Sequence, residues 1–165
     1  MSTLAAGIAE RMYDLSISEA IRESLYLFPA LNLVHVLAIV VLAGTIAIVD
    51  LRLLGVALPE SSISALSRQL LPLTWLGALV MVVTGVLLFL PQASRIYTNP
   101  ALLAKLALLL FAAANAYAWH RSLARHGAAW DQAARPPWRA RLAGASSLLL
   151  WIGIIVAGRL IAFIV

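Results

Sequence analysis

Three basic side chains, His35, Lys105 and Arg159, interrupt runs of Leu, Ala, Val and Ile that otherwise read as membrane-spanning. A charge or an imidazole in hydrocarbon is costly, so each calls for a reason. An imidazole offers a ring nitrogen to a metal or relays a proton. A lysine ligates a metal only when neutral, and an apolar setting favours that form. An arginine pairs with a carboxylate. The competing readings are structural: Lys105 and Arg159 sit near span ends, where long stems snorkel to the headgroups, and His35 can be a hydrogen-bonding partner between helices.

The elements that must carry these residues are four apolar runs, at about 31–49, 73–90, 101–119 and 146–165. Each is close to the roughly 20 residues that cross a bilayer as a helix. Of the 165 residues 63% are hydrophobic and only 12% charged, the balance of an integral membrane protein. The runs lack the in-out alternation of barrel strands, so the expected fold is all-α, a transmembrane four-helix bundle over residues 30–165. Residues 1–29 form an N-terminal interfacial segment with a short surface helix at about 17–27. Ser16 and Glu19 there have capping-box spacing, and Ile17, Ile21 and Leu25 make one apolar stripe. Glu10, Arg11, Asp14, Glu19, Arg22 and Glu23 precede the first long run, which is not the order of a cleaved signal, so this segment is expected to stay attached. The absence of cysteine excludes disulfides, iron-sulfur clusters and covalent haem attachment. The net charge of +5 resides largely in arginines beside the spans, which points to membrane orientation and away from nucleic acid.

Orientation brings distant residues to one depth. Arg52, Arg68, Arg121, Arg125, Arg135, Arg139 and Arg141 fall on one side, against Arg11, Arg22 and Arg95, with Lys105 and Arg159 just inside the spans, on the other. The positive-inside rule places both termini on the periplasmic face of a bacterial inner membrane. His35 and Lys105 then lie about 8 to 9 Å below Pro29 and Pro100 on inward-running helices, and Arg159 lies near the outward end of the last span. The three form one expected layer. Asn32, His35, Ala38, Leu42, Thr45 and Val49 follow helical steps along the first span, as do Gly77, Met81, Thr84 and Leu88 along the second, so both stripes are expected to face the interior. His120 follows Lys105 by about 22 Å of helix, too far for His35 and His120 to ligate one haem together. At the inner end, Asp50 and Arg52 read as an interfacial ion pair, Trp75 and Trp119 as belt aromatics, and His126 as a loop residue. Residues 134–139 read as a cytoplasmic turn whose arginines meet anionic headgroups. No phosphate loop, nucleophile elbow, zinc-protease motif or paired-carboxylate signature is present.

The run Leu33-Val34-His35-Val36-Leu37, Gly44, and Asp50-Leu51-Arg52-Leu53-Leu54-Gly55, with Leu71-Pro72-Leu73-Thr74-Trp75, Thr84 to Phe89, Asn99-Pro100-Ala101 through Lys105, and Val156-Ala157-Gly158-Arg159, resembles an uncharacterised family of small bacterial four-span membrane proteins across nearly the whole chain. More distantly, the chain resembles the HemJ family of haem-pathway oxidases and the CopD-type copper-resistance membrane domain. His35, Gly44 and Arg52-Leu53, and then Lys105-Leu106 and Trp119-His120, are similar to the HemJ pattern. That resemblance implies haem b in the bundle, with His35 and Lys105 as the corresponding site. The Tyr-His after the first span and the basic, tyrosine-rich segment before the second are missing, so protoporphyrinogen oxidation is not implied.

The expected function is therefore a haem b-binding membrane protein in electron transfer with a quinone or other redox partner. His35 is the expected axial ligand to iron, Lys105 the sixth ligand or a propionate partner, and Arg159 a propionate partner. Asn32 and Thr84, polar members of the two stripes, complete the expected cofactor-binding set. The alternatives are CopD-like copper handling, with His35 and Met81 as ligands, and a non-catalytic membrane subunit. The lipid bilayer is the expected surrounding, and a homo-oligomer is compatible with the chain.

Overall fold

The computed structural model describes residues 2–132 and 136–164. Among the described residues there are seven α-helices and no strand: α1 (Ser2–Tyr13), α2 (Ser16–Glu23), α3 (Leu27–Leu54), α4 (Ile63–Phe89), α5 (Ala93–Ile96), α6 (Pro100–Gln132) and α7 (Trp138–Leu160). A 3₁₀ turn, Leu90–Gln92, joins α4 to α5. Four segments are long and apolar enough to cross a membrane: Leu27–Leu54, Ile63–Ile96, Pro100–Gly127 and Trp138–Leu160. The protein is an all-helical, multi-pass membrane bundle.

Local chemistry sets where the long helices begin and end. The Ser24 hydroxyl accepts from the Leu27 amide at 3.2 Å, and α3 starts there. Pro29 sits in its first turn, where an amide would have no helical acceptor to lose. At the far end Gly55 takes φ 76°, and its amide closes on the Arg52 carbonyl at 3.1 Å while the Val56 amide reaches Leu51 at 3.0 Å, a glycine-terminated helix end. Helix α4 starts where the Ser62 hydroxyl accepts from the Ala65 amide at 3.2 Å. It then runs through Pro72, so the second span begins before the apolar run read from sequence and carries Arg68 within a helix.

Helix α3 packs along both α4 and α7, and α6 packs along α7, whereas α4 and α6 meet over only a short stretch. The four spans therefore form an incomplete ring with a gap between α4 and α6. Glycines permit the closest approaches. A Cβ on Gly77 would stand 3.1 Å from the Leu42 nitrogen, and one on Gly144 only 2.9 Å from the Asp50 carbonyl oxygen. Small residues at such crossings let helix backbones approach in a solvent of lipid tails. Two apolar clusters fill the interior, Ala38, Leu42 and Met81 in the middle and Leu53, Ile63, Trp119 and Ala140 toward one end. Outward-facing Leu37, Val40, Leu79, Leu110 and Leu149 stay exposed, as suits a surface solvated by hydrocarbon.

The N-terminal helices fold over the opposite end, against the segment from Leu90 to Ile96. Ala9, Ser18, Ile21, Ala93 and Ile96 are buried there. This differs in detail from the expectation. Helix α2 ends at Glu23, so Leu25 lies beyond it and is exposed, and α1 precedes it. Leu15, not Ser16, holds the N-cap position of α2, without a side-chain cap, so the capping box does not form. Helix α6 continues to Gln132, which places Arg121, Arg125 and His126 on a helix where a loop was expected. Arg135 and Ala134 of the expected turn lie outside the described residues.

Candidate functional site

The gap between α4 and α6 is a long cleft of about 1030 Å³. His35, Met81, Gly85, Tyr97 and Lys105 line one end, Asp50, Ser67, Trp75 and His120 the other, and mostly apolar side chains the stretch between.

Three contacts fix the register of α3 against α4: His35 with Thr84, Leu42 with Gly77, and Thr45 with Thr74. Each step down α3 is matched by an equal step up α4, so the pair is a regular antiparallel zipper. The Thr84 hydroxyl lies 2.8 Å from His35 Nδ1 and 2.6 Å from the Val80 carbonyl oxygen. A hydroxyl has one proton, and a separation as short as that to Val80 demands it there. Thr84 consequently accepts from His35, so Nδ1 carries the ring proton and Nε2 keeps the lone pair. Gly85 completes the setting, because a Cβ on it would stand 3.2 Å from His35 Cε1. The imidazole is thus buried, held in one tautomer and seated on a glycine.

Lys105 enters from α6, and a Cβ on Gly158 of α7 would stand 3.3 Å from its Nζ. Its helix is anchored by Asn99, whose Oδ1 accepts from the Ala101 and Leu102 amides at 2.9 and 3.3 Å. The Asn99 Nδ2 donates to the Ile161 and Ile164 carbonyls, tying the start of α6 to the end of α7. Asparagine before proline is a sequence signature of a helix start, and it identifies this anchor without a structure.

The contact of Gly144 with Asp50 sets the level of α7 against α3. His35 lies fifteen residues from Asp50 along α3, and Arg159 fifteen residues from Gly144 in the matching direction along α7. His35, Lys105 and Arg159 therefore do share a level, but they do not share a face. Arg159 is exposed, with its guanidinium carbon 5.2 Å from the centre of the Phe163 ring, and it does not line the cleft. Asn32 is exposed as well, and only Thr84 of the two polar stripe residues reaches His35. Three residues turn a helix by about 300°, which carries Asn32 some 60° off the buried stripe where no helix covers it.

The other end departs from the ion pair expected there. Arg52 is buried, and its Nε donates to the Ser61 carbonyl at 2.7 Å, holding the α3–α4 loop. Asp50 Oδ2 and Ser67 Oγ are buried with no hydrogen-bond partner among the described residues. Trp119 is a core residue stacked on Trp130 at 5.3 Å, not a belt aromatic, whereas Trp75 is exposed toward lipid. His126 stacks on Trp130 at 5.7 Å. Beyond the spans, Asp131 accepts from the Ser64 amide at 3.0 Å and so joins the end of α6 to the start of α4. Burial opposes its ionisation, but hydrogen bonds from Ser64, Ser62 and the Ile63 amide outweigh that and hold its carboxyl below the usual range. No group of three or more His, Asp or Glu side chains suited to hold a metal ion occurs among the described residues.

A family profile matches residues 28–164, and the chain belongs to that family, described as a family of unknown function (DUF6644). No curated protein and no solved structure matches the chain.

Proposed function

We propose that this protein binds haem b in the cleft through His35 and serves as a membrane electron carrier, with a lipid-soluble quinone as its redox partner. The observation that carries the reading is the seat of His35, a buried imidazole whose Nδ1 stands 2.8 Å from the Thr84 hydroxyl while that hydroxyl stands 2.6 Å from the Val80 carbonyl. With Nδ1–H committed to Thr84, Nε2 is the nitrogen left for iron, and an oriented His with its second nitrogen hydrogen-bonded is the usual form of a ligating imidazole. The cleft suits the group in two further respects. Its volume of about 1030 Å³ and largely apolar walls match a large hydrophobic ligand, and Gly85 lets the imidazole seat closely against α4.

Haem supplies one-electron chemistry at its iron. The residues of this chain hold, orient and surround it. Thr84 would hold the imidazole, Met81 and Leu42 give the cleft an apolar wall, and Lys105 offers a cation to a carboxylate or, when neutral, a nitrogen to iron. Arg159, at the same level but facing outward, is reassigned to lipid headgroups. The gap between α4 and α6 opens the cleft sideways, which favours a partner that arrives through the bilayer. Copper handling draws less support, because its ligands would be His35 and Met81 without a third donor of the usual kind. The arginine count supports an orientation in a bacterial inner membrane with the Asp50 end toward the cytoplasm and both termini toward the periplasm.

The test is visible spectroscopy of the protein purified in mild detergent after expression with ample haem. The expected result is a Soret band with reduced and oxidised forms in the wild type and its loss in His35→Ala. A wild type without the band overturns the haem reading, and a band that persists in His35→Ala overturns the ligand assignment.

A further inference from the structure

Asp50 is the one carboxylate within the four spans, since the other six acidic residues, Glu10, Asp14, Glu19, Glu23, Glu60 and Asp131, all lie outside them. It is only 5% exposed, it lines the cleft, and its Oδ2 has no partner among the described residues. Ser67 repeats the pattern from α4, at 7% exposed, with its Oγ unpartnered in the same cleft. By the α3–α4 register Asp50 is level with Gln69, so Ser67 lies within two residues, or about 3 Å along the helix axis. From α7, Ser147 lies beside the Asp50 carboxyl.

An ionised carboxylate in such a place needs a counter-charge, and an uncompensated buried charge is strongly destabilising. The basic groups nearby do not provide one. Arg52 is turned to the Ser61 carbonyl, Arg68 on α4 and Arg141 on α7 are exposed, and His120 of α6 lines the cleft without hydrogen-bonding to Asp50. A metal cation would neutralise the charge but requires several oxygen donors, and only one acidic side chain is present, with two serine hydroxyls. A proton needs a single acceptor.

We propose that Asp50, flanked by Ser67 and Ser147, is a proton-exchange site that loads from the cleft and returns its proton to a ligand or water there. In the protonated form the carboxyl is a neutral hydrogen-bond donor facing an apolar cleft, and in the ionised form the Ser147 hydroxyl beside it is its donor. The site stands at the opposite end of the cleft from His35 and does not depend on haem.

Dicyclohexylcarbodiimide reads such a site directly, because it partitions into the membrane and reacts with protonated carboxyls. The carboxyl proton moves to a carbodiimide nitrogen, the carboxylate oxygen adds to the central carbon, and an acyl shift leaves a stable N-acylurea, with nothing oxidised or reduced. The full-length protein in detergent and in lipid vesicles is treated across a pH series, and the modified peptide is mapped by mass spectrometry. Asp50 is expected to be labelled, less so as pH rises, with sodium and potassium chloride without effect, and Asp50→Asn is expected to lose the label while eluting as one folded species. In Ser147→Ala the labelling is expected to persist to higher pH, because the hydroxyl beside the carboxyl has gone. An Asp50 that never labels overturns the proposal, as does labelling that sodium or potassium suppresses, which would make the site one for a cation. Since the readout needs no haem, its failure and that of the haem reading are separate results.

Discussion

The hydroxyl of Thr84 is the smallest group on which the His35 reading depends, and replacing it with an isosteric side chain isolates its contribution. Thr84→Val keeps the shape and removes the acceptor that holds Nδ1–H at 2.8 Å. The Val80 carbonyl, which now accepts the Thr84 proton, retains its helical amide donor, so the change falls mainly on the imidazole. Two magnitudes then separate a structural role from a ligand-orienting one. Interhelical hydrogen bonds in membranes contribute about 0.6 kcal/mol on average and up to about 1.7, so the bundle should lose only about 1 kcal/mol of stability and stay folded. Loss of the hydrogen bond behind a ligating histidine lowers metal affinity about 10- to 100-fold, because the ring is then free to rotate and to place its proton on the nitrogen that should bind. Haem titrated into the apo-protein in detergent, followed at the Soret band, measures the second quantity, and thermal unfolding of the same apo-protein measures the first. Thr84→Ser restores the hydroxyl and should restore most of the affinity. Wild-type haem affinity in Thr84→Val would refute the tautomer argument, whatever the change in stability.

Helix contacts give further tests. Gly144→Ala puts a methyl 2.9 Å from the Asp50 carbonyl, where backbone has to move, and should cost about 1 to 3 kcal/mol in thermal or denaturant unfolding, whereas Gly44→Ala meets nothing within 4 Å and should be neutral or gain up to about 1 kcal/mol. Asn99→Ala removes a helix cap together with the tie to the end of α7, and should cost about 0.5 to 2 kcal/mol, with faster amide exchange over Ala101 to Ala104 as the local sign. Asp131 gives a pH dependence of known sign. Because its folded carboxyl titrates lower than an unfolded one, its contribution is complete above the ordinary carboxylate range and is lost as pH falls through the folded value, so the acid loss of stability should be shallower in Asp131→Asn than in wild type.

Depth was legible in the sequence, and azimuth only in part. The common level of His35, Lys105 and Arg159 follows from four antiparallel spans and a fixed rise per residue, quantities that composition and loop positions supply. The inward stripe of α3 was legible too, since His35, Ala38, Leu42 and Thr45 are all buried. The outward turn of Arg159 was not, because α7 is apolar on every side and no polar stripe marks which face meets α6 and α3. The Asp50–Arg52 pair failed for a different reason. Two residues apart on a helix, the side chains point about 160° from one another, and Arg52 found a loop carbonyl on its own side. Helix α1 has no apolar run or cap to mark it in the sequence, and only the helix-forming Ala, Leu, Glu, Arg and Met of its composition point to it.

The arrangement of the polar groups bears on what the gap between α4 and α6 is for. A bundle selected only for stability would close that gap, since α3 and α7 already show how glycine lets two spans meet at van der Waals distance. Here α3 carries a buried imidazole near one end and an unpartnered carboxyl near the other, fifteen residues apart, and both open into the same cleft. Fifteen residues of helix span about 22 Å, so one small ligand does not bridge them, whereas an electron site and a proton site can be separate. Reduction of a quinone needs both particles. On the proposed reading, His35 at one end and Asp50 at the other divide that requirement, and the open side between α4 and α6 admits the molecule that receives them. Asp50→Asn should then leave haem binding and its spectrum unchanged while slowing quinol-coupled reduction, and a loss of the haem spectrum in that variant would show the two ends to be one site.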